Sequence, residues 1–153
     1  AVVEKIIAGD VVSKLVHYNG TAWANVATPT VFATNFNPMD IAVTDAGTIH
    51  VVGATNYYHP GLYYYFNGTT WSDRTASLPV PSDRADIPFL CGVACRTDDF
   101  VVITGYDRDD CRDYVWTYHD SAWSAHRYAW TSGVIGDSIA WMGYGSNIFV
   151  GEL

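Results

Sequence analysis

The sequence predicts an all-β fold built from repeated units of about 50 residues, and three observations lead to this prediction. Short runs of β-branched and aromatic residues alternate with Gly, Asn and Asp, as is typical of strands and turns. A tryptophan recurs in similar surroundings at Trp23, Trp71 and Trp123. The segments 39–53, 91–105 and 137–151 align with one another without a gap.

Each unit reads as four short strands, shown best by IAVT, TIHVVG, LYYYF and TTWSDR within residues 41–74. Asn67-Gly68 is predicted to join the last two strands as a two-residue hairpin. Asn19-Gly20 and His119-Asp120 occupy the same place in two other copies. Because LYYYF is aromatic on both of its faces, we expect both faces to be covered by neighbouring units.

Four-stranded sheets that stack at this period form the blades of a β-propeller. The chain then divides into the C-terminal half of a blade (1–38), two blades (39–90 and 91–136) and the N-terminal half of a blade (137–153). The first part supplies KLVHYN and TAWANV, to which AVVEKIIAG can add a strand.

Closure of the ring requires more blades than this chain holds, since propellers use about four to eight. We therefore predict a homodimer in which the C-terminal half-blade of one chain pairs with the N-terminal half-blade of another, giving six blades. Two alternatives remain open: a piece of a longer propeller or larger assembly, and a β fold that is not a propeller.

The composition is that of one folded, acidic domain. The 153 residues are 49% hydrophobic and 16% charged, with a net charge of −8. This charge repels phosphate backbones and anionic lipids, so nucleic acid is not an expected partner. Membrane insertion is not expected either, since no apolar run approaches about 20 residues. Glycans, cationic surfaces, metal ions and other proteins remain.

The longest connections all emerge at one end of the predicted blades, which makes this long-loop end the expected binding surface. Tyr57, Tyr58 and His59 are suited to stacking on a sugar or gripping a protein partner, or they pack over the neighbouring blade. A second candidate set combines a guanidinium with aromatic rings and comprises Arg127, Tyr128 and Trp130, although Trp130 fits equally well as a core residue.

An acidic run at the same end is a candidate calcium site. Its carboxylates belong to Asp107, Asp109, Asp110 and Asp113. The run lacks the spacing of a calcium loop, and Arg108 and Arg112 can neutralise the carboxylates themselves. No other cofactor is expected.

Cys91 and Cys95 are predicted to be unpaired. Four residues of regular strand separate Cα atoms by roughly 13 Å, beyond the reach of a disulfide. We expect buried thiols that act as small apolar groups.

Gly68-Thr69-Thr70-Trp71 resembles the end of the Asp-box, a structural hairpin motif of sialidase-type propellers. Tyr64 and Phe66 stand at its Ser and Asp positions. The short chain with Trp-ended repeats also looks like fungal and bacterial lectins that assemble propellers from short chains. This resemblance implies a propeller that binds sugars between its blades.

The favoured function is a non-catalytic module that binds a glycan or surface receptor, in an extracellular or virion-surface setting. A structural subunit of a larger assembly is the alternative. A sialidase-like glycosidase is remote, because Glu4 and Glu152 are the only glutamates and the histidines are scattered.

Overall fold

The computed structural model describes residues 2–7, 10–18, 21–55, 60–107, 112–128, 135–136, 139–143 and 146–151. These residues form four sheets, of which three are antiparallel, and none of the described sheets closes on itself. They include only one α-helix and one 3-10 helix, both short. The all-β prediction is confirmed.

The chain passes through the four sheets in order. The N-terminal sheet contains β1 (Val2–Ile7), β2 (Asp10–Tyr18) and β3 (Trp23–Val26). Helix α1 (Thr30–Thr34) leads to the second sheet, with β4 (Asn37–Val43), β5 (Ile49–Ala54), β6 (Gly61–Phe66) and β7 (Trp71–Asp73). A 3-10 helix (Thr75–Ser77) precedes the third sheet, with β8 (Phe89–Thr97), β9 (Phe100–Asp107), β10 (Arg112–His119) and β11 (Ala122–Tyr128). The C-terminal sheet contains β12 (Ile135–Gly136), β13 (Ile139–Gly143) and β14 (Ser146–Gly151).

The second and third sheets are two copies of one four-stranded antiparallel pattern, each with its strands in chain order. Val43 pairs with Ile49 in one copy and Cys95 with Val101 in the other, at aligned positions. Both first strands shift register near their start, between Pro38 and Asp40 and between Leu90 and Gly92. The second and third sheets therefore share their strand order and their pairing register at the positions that align in the sequence.

A repeated glycine permits this irregular start of the sheet. A Cβ on Gly53 would overlap the carbonyl oxygen of Asn37, and one on Gly105 would lie 2.9 Å from that of Phe89. Glycine is needed where another backbone approaches this closely.

The hairpins between the third and fourth strands lie one residue later than the sequence predicted. Phe66 pairs with Trp71, and the Asn67 amide donates to the Thr70 carbonyl, so Gly68-Thr69 rather than Asn67-Gly68 is the centre. In the third sheet His119 pairs with Ala122, which places Asp120-Ser121 rather than His119-Asp120 at the centre. In the second sheet, the reason is that the Asn67 side chain accepts hydrogen bonds from the amides of Thr69 and Thr70, so Asn67 precedes the two central residues of the turn.

The second sheet is covered on both faces, as its aromatic strand predicted, but one of the two covers is a connecting segment and not a neighbouring sheet. On one face, Phe32 and Phe36 from the connection before β4 pack against Tyr64. On the other face, Tyr63 joins a core with Ile103 and Trp116 of the third sheet. Tyr63 and Tyr64 are only 4% and 6% exposed. This core between the two sheets is the largest cluster of buried side chains in the described part of the chain.

The chain ends also form strands close to the predicted ones. β1 adds to the N-terminal sheet as a third strand, and β13 and β14 form the predicted C-terminal hairpin. In this hairpin Ile139 pairs with Val150, one residue later than the gapless alignment implies. β13 contacts β8 and β9 of the third sheet.

Candidate binding site at the long-loop end

Several predicted site residues lie outside the residues that the structure describes. They are Asn19, Gly20, Tyr57, Tyr58, His59, Asp109, Asp110 and Trp130. Tyr128 ends β11, and its backbone alone is described. Asp107, Asp113 and Arg127 are described, and all three lie at strand ends that point to the long-loop end.

The segment 74–88, here called the second connector, lies at this end and is held in place by contacts with the second and third sheets. Leu78 and Ile87 are buried in the core between the second and third sheets. The indole nitrogen of Trp116 donates to the Pro79 carbonyl at 2.9 Å. The Gly61 amide donates to the Ile87 carbonyl at 2.9 Å. The connector is thus tied to both sheets.

Three side chains, one of them from the second connector, form a hydrogen-bonded group at this end. Arg127 Nη1 donates to Asp83 Oδ2 at 2.7 Å, and the Tyr114 hydroxyl lies 3.4 Å from the same oxygen. Tyr114 and Arg127 are directly paired across β10 and β11. The Arg127 side chain is 46% exposed and that of Asp83 is 26% exposed. The group therefore presents a donor-rich guanidinium and a carboxylate to solvent in a fixed orientation.

The second connector also contacts one residue at or next to each of the two predicted aromatic sites. It contacts Gly61, which follows the loop of Tyr57, Tyr58 and His59, and it contacts Arg127 through Asp83. Sequence reasoning singled out Arg127 but missed Asp83, because nothing in SLPVPSDRADIP indicates which of its carboxylates meets β11.

The carboxylate of Asp107 forms an ion pair with Arg84 of the same connector and is fully buried. Asp113 is buried as well, at 6% exposure. Neutralisation by an arginine was one of the two interpretations of this acidic run, and Arg84 provides it for Asp107. Arg108 and the side chain of Arg112 lie outside what the structure describes. Among the described residues, no three His, Cys, Asp or Glu side chains are arranged to hold a metal ion. Since Asp109 and Asp110 lie outside those residues, the calcium site stays a prediction.

A second polar cluster, at the opposite end of the sheets, was not predicted. Asp98, in the turn after β8, accepts hydrogen bonds from Thr48 at 2.6 Å, from Tyr65 at 3.1 Å and from His50 Nε2 at 3.3 Å. The other ring nitrogen of His50 lies 2.8 Å from the Tyr63 hydroxyl. A turn of the third sheet is thereby bonded to two strand residues of the second sheet, His50 and Tyr65, and to Thr48, which precedes β5.

Burial determines the charge state of this cluster. It lowers the pKa of His50, although the hydrogen bond to Asp98 partly opposes this effect. Burial alone would raise the pKa of Asp98, but the hydrogen bonds from Thr48, Tyr65 and His50 outweigh it and lower that pKa. Burial also raises the pKa of Tyr63. A neutral imidazole with both nitrogens hydrogen-bonded, one to the phenol of Tyr63 and one to Asp98, links the two sheets.

Cys91 and Cys95 are unpaired, as predicted. Burial raises the pKa of the Cys91 thiol to about 12 and that of Cys95 to about 11. Both thiols are therefore protonated at neutral pH.

The repeated tryptophans differ in their exposure. Trp71 donates its indole N–H to the Ala27 carbonyl at 2.7 Å, and its ring packs on Phe32. Trp123 packs against Tyr63 of the second sheet. Trp23 is 62% exposed.

Comparisons of the chain with family models, with curated proteins and with solved structures find no match. Within the described residues, none of the helices is long and apolar enough to cross a membrane.

Proposed function

We propose that this chain is a non-catalytic β-propeller segment that recognises a glycan or a surface receptor at the long-loop end, between the second and third sheets. The two sheets support the propeller because they repeat one strand pattern and pack face to face. β13 of the C-terminal sheet contacts β8 and β9 of the third sheet.

The ring closes through a second copy of the chain. The N-terminal sheet has three strands, one fewer than each complete unit, and the C-terminal hairpin supplies first and second strands. Pairing these incomplete sheets between two chains removes open sheet edges, which are otherwise sites of uncontrolled association.

The observation that carries the binding role is the group formed by Asp83, Tyr114 and Arg127. Sugar hydroxyls both donate and accept hydrogen bonds, and a paired guanidinium and carboxylate offer both functions side by side. The connector holds the group rigid, so little ordering is required when a ligand binds. Tyr57 and Tyr58, on the neighbouring loop, are the expected stacking surfaces for the apolar face of a sugar.

The test is a glycan and receptor panel screened with the unsubstituted chain, followed by Arg127→Ala. Loss of a charge-assisted hydrogen bond is expected to weaken binding by about tenfold or more. Arg96→Ala, an exposed position at the opposite end of the third sheet, is the matched control and is expected to bind normally. Equal binding by both variants would contradict this location, and an unfolding transition unchanged from that of the unsubstituted chain would establish that Arg127→Ala is folded.

A structural subunit of a larger assembly is the second candidate. It is favoured by the incomplete sheets at both ends of the chain and by the exposure of Trp23. This role predicts no ligand in the panel but a stable oligomer in solution.

A further inference from the structure

The hairpin between β6 and β7 carries an Asn-Gly pair that is exposed to solvent. Residues 67–70 are all exposed. The amide of Asn67 donates to the Thr70 carbonyl at 3.2 Å, and Gly68 has a φ of 94°. A Cβ built on Gly68 would meet no atom within 4 Å. The peptide bond between Asn67 and Gly68 is therefore open to water, and no neighbouring side chain shields it at Gly68.

The side chain of Asn67 is held in one orientation by two backbone donors. Its Oδ1 accepts hydrogen bonds from the amide of Thr69 at 2.9 Å and from that of Thr70 at 2.8 Å. Two amide donors at such distances stabilise the negative charge that develops on a carbonyl oxygen when a nucleophile attacks its carbon. The turn thus activates Cγ of Asn67 as an electrophile.

The nucleophile for this carbon is the backbone nitrogen of Gly68. In the described part of the chain, the Gly68 amide donates no hydrogen bond and Nδ2 of Asn67 has no hydrogen-bond partner. Attack of the Gly68 nitrogen on Cγ closes a five-membered ring, and a reaction within one molecule is favoured over one between two molecules. Glycine has no Cβ that would hinder this attack.

We propose that Asn67 is a site of spontaneous self-modification, in which the Gly68 nitrogen attacks Cγ of Asn67 and the side-chain amide leaves as ammonia. Hydroxide removes the proton from the Gly68 nitrogen, the bond from this nitrogen to Cγ forms, and the bond from Cγ to Nδ2 breaks as Nδ2 takes a proton from water. Water then opens the cyclic imide. Opening at Cγ gives aspartate, and opening at the backbone carbonyl carbon gives isoaspartate, whose main chain runs through Cβ and Cγ.

The two products affect the fold differently. Aspartate keeps an oxygen in the place of Oδ1 that accepts the same two amide hydrogen bonds, and it adds a negative charge to the hairpin. Isoaspartate adds one carbon to the main chain of the hairpin, which disturbs the register that pairs Phe66 with Trp71. Because the indole of Trp71 donates to the Ala27 carbonyl at 2.7 Å, isoaspartate weakens the contact of the second sheet with the segment that follows β3.

Mass spectrometry of the folded full chain during incubation at mildly alkaline pH tests the modification. We expect the peptide that contains Asn67 to gain the mass of an amide-to-acid exchange, at a rate that rises with pH and is at least equal to that of a synthetic peptide of residues 63–71. Tandem mass spectrometry separates this change from any at the other Asn-Gly pair, residues 19–20.

Two asparagines of the same chain are internal controls. Asn25 and Asn35 are exposed, but Val26 and Phe36 follow them in place of glycine. Both are expected to stay unmodified over the same incubation. Asn67→Gln is expected to lose the modification, because the longer side chain would have to close a six-membered ring.

Urea unfolding tests the effect of isoaspartate. The aged chain is purified by ion exchange as the more acidic form and compared with Asn67→Asp, which represents the aspartate product alone. We expect the aged form to unfold at a lower urea concentration than Asn67→Asp, and Asn67→Asp to match the fresh chain.

A rate in the folded chain that lies well below that of the synthetic peptide would overturn the proposal, since the fold would then protect Asn67. Equal conversion at Asn25 or Asn35 would overturn it too, because the turn and the glycine would then have no role. Equal urea midpoints for the aged form and Asn67→Asp would overturn the proposed effect of isoaspartate on the fold.

Discussion

The indole of Trp123 meets the ring of Tyr63 edge to face, with 5.9 Å between centroids and 79° between ring planes. Trp123 belongs to β11 and Tyr63 to β6, so this contact joins the outer strand of the third sheet to the middle of the second. Tyr63 in turn reaches His50, and His50 reaches Asp98 of the third sheet. One chain of contacts therefore crosses the boundary between the sheets twice.

Trp123→Ala is expected to lower the free energy of unfolding by about 2 kcal/mol, below the full cost of a wholly buried tryptophan because the ring is half-buried. Val43→Ala, at an exposed position on β4, is the control and is expected to change stability by less than about 0.5 kcal/mol. Urea unfolding followed by circular dichroism measures both. An equal effect of the two variants would indicate that the third sheet does not depend on this contact.

The His50 and Asp98 cluster is expected to make the protein less stable as the pH falls. The pKa of His50 is lowered by burial from 6.5, so below about pH 6.5 the unfolded chain takes up a proton that the folded chain does not. The pKa of Asp98 is lowered from 3.8 by its hydrogen bonds, so protonation of the unfolded chain weakens the fold again below about pH 4.

His50→Gln tests the first part of this pH dependence. The variant is expected to be less stable at pH 7 and to show a flatter decline in the unfolding free energy as the pH falls below about 6.5, because glutamine does not titrate. His126→Gln, at an exposed position of β11, should keep the decline. A slope that is unchanged in His50→Gln would assign the pH dependence to other groups.

Gly53→Ala is expected to destabilise the protein more than Gly105→Ala. The added Cβ would overlap the Asn37 carbonyl at the first site, whereas at the second it would lie 2.9 Å from the Phe89 carbonyl. Overpacking typically lowers the free energy of unfolding by about 1–3 kcal/mol. We expect Gly53→Ala to lower it by about 3 kcal/mol or more. Thermal unfolding of the two variants gives the order, and the reverse order would contradict the close approach at Gly53.

The parts of this fold that were predictable from sequence are those encoded by repetition. The aligned segments predicted the strands of the second and third sheets, and the aromatic run around Tyr63 and Tyr64 predicted that both faces of the second sheet are covered. The link from Asp98 to His50 was not predictable, because the two residues are 48 positions apart and lie at non-equivalent positions of their units. The partner of Arg127 was missed for the same reason, since Asp83 comes from a connector with no counterpart in the repeat.

The turn between β10 and β11 offers a stabilising substitution. Asp120 and Ser121 have φ values of 52° and 63°, in the left-handed region, which Gly adopts readily, Asn and Asp tolerate and Ser disfavours. Asn-Gly is the preferred pair for such a turn, so Asp120→Asn with Ser121→Gly is expected to raise the free energy of unfolding by about 0.5–1 kcal/mol. Thr69→Gly, at the position aligned with Ser121 but without a positive φ, should bring no gain. The gain is measured by urea unfolding, and a destabilised double variant would show that the Asp120 carboxylate, 3.0 Å from His119 Nδ1, contributes more than the turn strain costs.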